Sequence, residues 1–253
     1  MSDSGLLLKA FTLLHLLKPR GGYTEWGAAE LSRQAGYNPG TTHRILQDML
    51  KTGFVHQNPK TKKFHLGSAF IEFGFLARSL FSIREISRPI MEGLAIKTQE
   101  SIYLNVIPND EEALLIDSID STNQLRIVEP VGLLLPLHIG ATRRVILANM
   151  ELEQQERYIK KSNLQLRTPK TIVKESDLRA ELSKIKQQGY AISFGETTLG
   201  TAGIAVALFG IDGVEGSLGI ATPHIRLTED VIPVYAKLLT EAADTISNAL
   251  CGR

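Results

Sequence analysis

At 253 residues, 43% hydrophobic and 22% charged, the chain has the composition of a globular protein and a length that suits two ordinary domains better than one large core. Its 28 Lys and Arg against 27 Asp and Glu leave a net charge of +1, which gives no global case for nucleic acid and confines any basic surface to a local patch. The single cysteine, Cys251, excludes a disulfide framework or a cysteine-rich metal cage and fits a reducing cytoplasm, while the absence of any run near 18 apolar residues excludes a membrane-spanning helix.

Residues 6–17 place Leu6, Ala10, Leu13, Leu14 and Leu17 on one helical face, and Pro19-Arg20-Gly21-Gly22 reads as the stop. Lys9, Thr12 and His15 interrupt this segment, so it does not read as a signal peptide. A short helix is expected over 27–35, broken by Gly36. Asn38-Pro39 then supplies an N-cap and a first-turn proline for a third helix running to about Thr52, with Gly53 beyond its end. Residues 54–56 and 63–66 read as two strands around the turn 57–62, a β-wing. Ala69, Phe70, Phe73, Leu76, Ala77 and Leu80 recur at helical spacing, predicting a linker helix over 67–81.

Beyond residue 82 the texture changes. Alternation at Ile102, Leu104 and Val106 and apolar runs at 113–116, 133–138, 203–209 and 217–221 read as strands. Helical patterns over 83–97, 142–150, 151–161, 174–188 and 229–250 interrupt them, which predicts an α+β domain of a sheet covered by helices. The expected organisation is therefore 1–66 for a winged helix-turn-helix, 67–81 for the linker and 82–253 for a sensing domain.

On a helical wheel Thr42, Ile45, Leu46, Met49 and Leu50 share the face that packs inward. The opposite face carries Gly40, Thr41, Arg44, Gln47 and Lys51, with His43 at its flank and Asp48 as the one acid. Small residues at the start of a helix allow close approach to a groove, and Arg and Gln form paired hydrogen bonds with base edges. From residue 38 to 66 there are five Lys or Arg and one acid, a cationic module inside a neutral chain. The candidate DNA contacts are Gly40, Thr41, Thr42, His43, Arg44 and Gln47 on the helix and Lys60, Lys62 and Lys63 on the wing. The competing reading is a protein-binding or dimerisation module whose lysines are merely solvated.

The run 6–17, then Glu30-Leu31-Ser32-Arg33-Gln34-Ala35-Gly36, Thr41-Thr42-His43-Arg44-Ile45-Leu46, Gly53-Phe54-Val55 and Phe64-His65-Leu66-Gly67, resembles in order and spacing the N-terminal pattern of the IclR-type regulators. Leu135-Pro136-Leu137-His138 followed by Leu147-Ala148, then Gly189-Tyr190-Ala191 and Ile220-Ala221-Thr222-Pro223 with Arg226, look like that family's effector-domain landmarks. The resemblance implies a GAF-like effector domain and homodimers that pair into tetramers on palindromic double-stranded DNA. It also implies an effector pocket at Leu137, Gly140, Ala141, Thr142, Phe194, Gly203, Gly219 and Ala221. The sequence departs from the family where Arg143 and Arg144 follow the loop after His138, and where Gly219 and Ala221 replace hydroxyl-bearing residues of some acid-binding relatives. Buried without donors, a carboxylate would lose several kcal/mol, so either Arg143 supplies a guanidinium or the ligand is larger and less polar. Thr222 is a candidate replacement hydroxyl, and an aromatic or other organic acid is the expected effector class. A plainer alternative puts both arginines on a solvent-facing side of the helix.

No hydrolase elbow, paired metal-binding histidines or phosphate loop occurs, so no catalysis, cofactor or metal is expected. Glu196 and Asp212 read as solvated loop acids, His138 and His224 as core or rim histidines, and Cys251 as an inert thiol. The amphipathic segments 8–17 and 67–80 double as dimer surfaces. Two rival functions stay open: an enzyme fused to a DNA-binding module, and a DNA-binding assembly protein that needs no ligand.

Overall fold

The computed structural model describes residues 5–19, 24–79, 82–161 and 163–252, with the side chains of 75–79 and 82 left aside. The chain divides into two units, Met1–Leu80 and Phe81–Arg253. Arg20–Gly22 of the expected helix stop, and Leu80, lie outside the described residues, as do the side chains of Leu76 and Ala77.

In the first unit α1 (Leu6–Leu16), α2 (Ala28–Ala35) and α3 (Pro39–Lys51) enclose a core of Leu13, Leu17, Leu31, Ile45, Leu46 and Met49. Gly36 ends α2 with φ 68°, a left-handed conformation that costs glycine little. The Asn38 side chain accepts the Gly40 N–H at 2.9 Å, and Pro39 fills the first turn, so α3 begins where its cap chemistry dictates. β1 (Val55–Gln57) and β2 (Phe64–Leu66) form the wing, with Val55 and Phe64 facing the core. Phe64 also exchanges backbone hydrogen bonds with Trp26, both at 2.8 Å, which ties the wing to the chain before α2. α4 (Ala69–Ser79) packs Phe70 and Phe73 onto Phe54, with ring centroids 5.1 and 5.4 Å apart.

The second unit is built on a six-stranded antiparallel sheet in the order β5-β4-β3-β8-β7-β6. The strands are β3 (Ser101–Asn109), β4 (Glu112–Ile119), β5 (Leu134–Pro136), β6 (Ala191–Phe194), β7 (Thr201–Gly210) and β8 (Gly213–Pro223). One face, with Ile102, Leu104, Ile204, Val206, Leu218 and Ile220, packs on α5 (Ser82–Thr98) and α9 (Val231–Leu250). The other packs on α6 (Ala141–Asn149), with α7 (Leu152–Lys161) and α8 (Glu175–Gln188) in the same cluster. β6 had no separate sequence signal, because its four residues follow the left-handed Gly189 with little alternation. This α+β arrangement is the expected one.

Candidate functional site

The exposed side of α3 carries Gly40, His43, Arg44, Asp48 and Lys51, while Thr41 and Gln47 are half-buried at its borders. Thr42 does not belong there. It is fully buried in the helix core and its hydroxyl has no hydrogen-bond partner among the described residues, so the expectation that it touches DNA is corrected. The wheel already placed it on the inner face, and the burial is what that periodicity demands. Lys51 pairs with Asp48 at 3.0 Å; both are exposed, so the pair contributes little to stability.

Lys60, Lys62 and Lys63 are exposed on the wing turn. The turn is shaped by Asn58, whose Oδ1 accepts the N–H groups of Lys60 and Thr61 at 2.9 and 3.2 Å. Lys62 sits at φ 58°, and its carbonyl accepts Gln57 Nε2 at 2.9 Å. Glu25, which the sequence reading overlooked, takes Asn58 Nδ2 at 2.6 Å and the Thr61 hydroxyl at 2.9 Å. These bonds, led by that from Asn58, hold the Glu25 carboxyl below its ordinary pKa. An acid 33 residues before the wing gives no local signal of this clamp.

In the second unit a cavity of about 190 Å³ opens beside the sheet between the start of α6, the loop after β6 and the irregular segment 120–133. Gly140, Ala141, Thr142, Arg143, Gly203 and Ala221 line it, as do Tyr103, Arg126, Glu129, Ser193 and Thr197, which the sequence had not singled out. Gly140 lies at φ 79°, and a Cβ there would fall 2.8 Å from Thr197 Oγ1, so both backbone and space call for glycine.

Four expected pocket residues lie elsewhere. Leu137 is sealed in the core beneath α6. Phe194 and Thr222 follow Ser193 and Ala221, and strand alternation turns them away from the cavity side. Phe194 rests against His224, with centroids 5.1 Å apart, while the buried Thr222 hydroxyl bonds the Pro223 carbonyl at 3.4 Å. Gly219 is covered by Thr142, whose Cγ2 would lie 2.5 Å from a Cβ at 219.

The solvent-facing alternative for Arg143 and Arg144 is overturned, since they are 2% and 1% exposed. α6 is buried on nearly every side, so neighbouring residues point to different partners within the protein. Arg143 Nη2 bonds Glu129 at 2.9 Å, and its Nε has no partner among the described residues. Arg144 grips Glu196 through both terminal nitrogens, one at 2.9 Å, and donates to the Ile192 carbonyl at 2.7 Å. Glu196 is therefore a buried ion-pair partner and not a solvated loop acid. The Tyr103 hydroxyl takes the Glu129 N–H at 2.9 Å and donates to the Ile127 carbonyl at 3.1 Å. Burial first, and then the Glu129 charge, push its pKa upward, so it remains a neutral hydroxyl.

His138 is buried on a different wall of this unit. Nε2 faces the Gln165 carbonyl at 3.2 Å and Nδ1 the Tyr158 hydroxyl at 2.6 Å, while that hydroxyl also accepts the His138 N–H at 3.1 Å. A carbonyl can only accept, which assigns the proton to Nε2 in a neutral ring, and burial lowers the pKa accordingly. Neither nitrogen is open to a metal, and among the described residues no cluster of three His, Cys, Asp or Glu forms a cation site. No helix among them is long and apolar enough to cross a membrane.

Residues 6–59 match the IclR helix-turn-helix domain, and residues 77–248 match the family described as bacterial transcriptional regulator IclR C-terminal. The HTH-type transcriptional regulator KdgR of Dickeya chrysanthemi is 31% identical over 246 residues, 96% of this chain and 79% of that protein. The transcriptional repressor IclR of Escherichia coli is 27% identical over 225 residues, 88% and 82% of the two chains. Among solved structures, an IclR-type regulator from Silicibacter superposes with a TM-score of 0.86 at 26% identity, over 97% of this chain and 96% of the other. An IclR homologue from Microbacterium hydrocarbonoxydans, solved with 4-hydroxybenzoate, shares the fold at 23% identity and a TM-score of 0.78, over 97% and 99%.

Proposed function

Because the chain belongs to the IclR family of DNA-binding transcription regulators, which are not enzymes and carry a C-terminal effector domain, we propose that α3 reads operator DNA and that a small organic acid at Arg143 controls it. On the DNA side, Thr41, Arg44 and Gln47 face the major groove, with Gly40 and His43 at the helix start and Lys60, Lys62 and Lys63 on backbone phosphates. One such module reads few base pairs, so a homodimer, or a dimer of dimers, on a palindromic operator in the cytoplasm completes the reading. The exposed Leu7, Leu8 and Phe11 on α1, and Ile71 and Phe73 on α4, support a self-association surface in the first unit. The three segments 1–66, 67–81 and 82–253 divide the work as reader, linker and sensor.

One observation carries the effector reading. Arg143 is almost fully buried at a cavity wall, yet among the described residues Glu129 is its single hydrogen-bond acceptor. A guanidinium has five N–H donors, and leaving them unmet in a desolvated site costs free energy that an incoming carboxylate recovers. The 4-hydroxybenzoate held by the Microbacterium relative belongs to this ligand class. The apolar Ala141 and Ala221 offer contact to the body of such an acid.

Two measurements test the proposal. Arg44→Ala should weaken operator binding in a gel-shift titration by about 1–3 kcal/mol, and a loss well below about 1 kcal/mol puts the reading face elsewhere. A thermal-shift screen of small organic acids should give stabilisation of about 2.7 kcal/mol at a hundred times the dissociation constant, abolished by Arg143→Met. Operator binding unaffected by every acid would favour the ligand-independent assembly protein.

A further inference from the structure

Assigning Arg143 to an anion leaves two charged side chains on the same cavity wall without a role. Both belong to the segment 120–133, which has neither helix nor strand and is pinned to the sheet at Ile127, whose carbonyl accepts Ser101 Oγ at 2.7 Å and Tyr103 OH at 3.1 Å. Glu129 holds one edge of Arg143. Arg126, three residues earlier, lines the cavity with its side chain exposed, and among the described residues its one hydrogen bond is a 3.5 Å contact to the Asn123 carbonyl.

The formal charge of the lining decides what fits. Among the described residues Arg126, Glu129 and Arg143 are its only charged ones, so it carries two positive charges and one negative, a net +1. The neighbouring Arg144 and Glu196 cancel each other. A carboxylate placed on Arg143 beside Glu129 sets two anions against one guanidinium, a repulsion that grows as water leaves the site. Arg126 offsets it, and a ligand with one negative charge then makes the cavity neutral, whereas a dianion leaves it at −1. We propose that Glu129 and Arg126 together select the ligand's charge, admitting a monocarboxylate bridged between Arg143 and Arg126 and discriminating against dicarboxylates. This rests on the assignment of Arg143 to an anion.

The test uses the full chain and two matched probe pairs, benzoate with isophthalate and propionate with succinate, measured by calorimetric titration and thermal shift. The wild type should bind the monoacid of a pair more tightly than its diacid. Glu129→Gln preserves shape while raising the lining to +2, and should shift the preference toward the diacid by about tenfold or more. Arg126→Gln, an exposed change that leaves the core alone, should weaken monoacid binding by about tenfold. An unchanged mono- to diacid ratio in Glu129→Gln, or wild-type monoacid affinity in Arg126→Gln, overturns charge selection while the anion site itself stands. If neither monoacid binds the wild type, or if Arg143→Met binds them as well as the wild type does, the anion assignment falls and takes this proposal with it.

Discussion

Replacing Arg144 by Met tests how the cavity is held open. Met restores most of the aliphatic stem but none of the donors, and Arg144 is 1% exposed. The Glu196 carboxylate, itself buried, would keep among the described residues only the Gly140 N–H at 3.4 Å, and the Ile192 carbonyl would lose its 2.7 Å donor. Glu181 is half-buried and 3.7 Å from Arg144, beyond hydrogen-bond distance, so it is the weaker partner of the two acids. Removing one partner of a buried ion pair costs about 3–5 kcal/mol, because the other charge stays buried without compensation. At 2–4 °C per kcal/mol for a unit of this size, that is a fall of about 6–20 °C in the midpoint of the second unit. Trp26, the chain's one tryptophan, lies in the first unit, so its fluorescence follows that unit separately. Urea unfolding should therefore show the main circular-dichroism transition moving while the fluorescence transition stays in place. The double variant Arg144→Met/Glu196→Gln should recover part of the loss, with a coupling in the range of about 0.5–3 kcal/mol. A loss below about 1 kcal/mol in the single variant would refute the claim that this pair fixes the loop beside Gly140.

Three further outcomes are expected. Thr42→Val removes a buried hydroxyl that has no partner and keeps the volume, so stability should hold or rise by up to about 1 kcal/mol with operator affinity unchanged; a weakened operator complex would return Thr42 to the DNA face. Glu25→Ala releases Asn58 and Thr61, and amide exchange at Lys60 and Lys62 should accelerate, whereas unchanged protection would mean that the turn's own Asn58 bonds suffice. His138 has a pKa lowered by burial from 6.5, so the unfolded chain takes up the proton first and stability falls as pH drops below about 6.5 toward the folded value. His138→Gln should flatten that slope between pH 7.5 and 5 in thermal melts, and an identical slope would assign the acid sensitivity to other groups.

Local chemistry made much of this protein legible in advance. The Asn38-Pro39 cap, the inner face of α3, the Asn- and Lys-rich wing turn and the Gly36 stop act within a few residues, so the sequence carries them directly. The alternation of Ile102, Leu104 and Val106 likewise announced a strand buried against helices on that face. Strand parity was equally available, and applied from Ala221 it would have removed Thr222 from the pocket in advance.

Tertiary structure alone decided the cavity's polar wall. Arg143 and Arg144 are adjacent and chemically identical, yet one meets Glu129, 14 residues earlier, and the other Glu196, 52 residues later. The sequence determined that a helix begins at about Thr142 and carries two arginines. Only the closing of the sheet, which brings segment 120–133 and the loop after β6 to opposite sides of that helix, determined that both are buried and that one keeps donors to spare. Periodicity specifies which face an element hides, but a partner across tens of residues is chosen by how the layers pack.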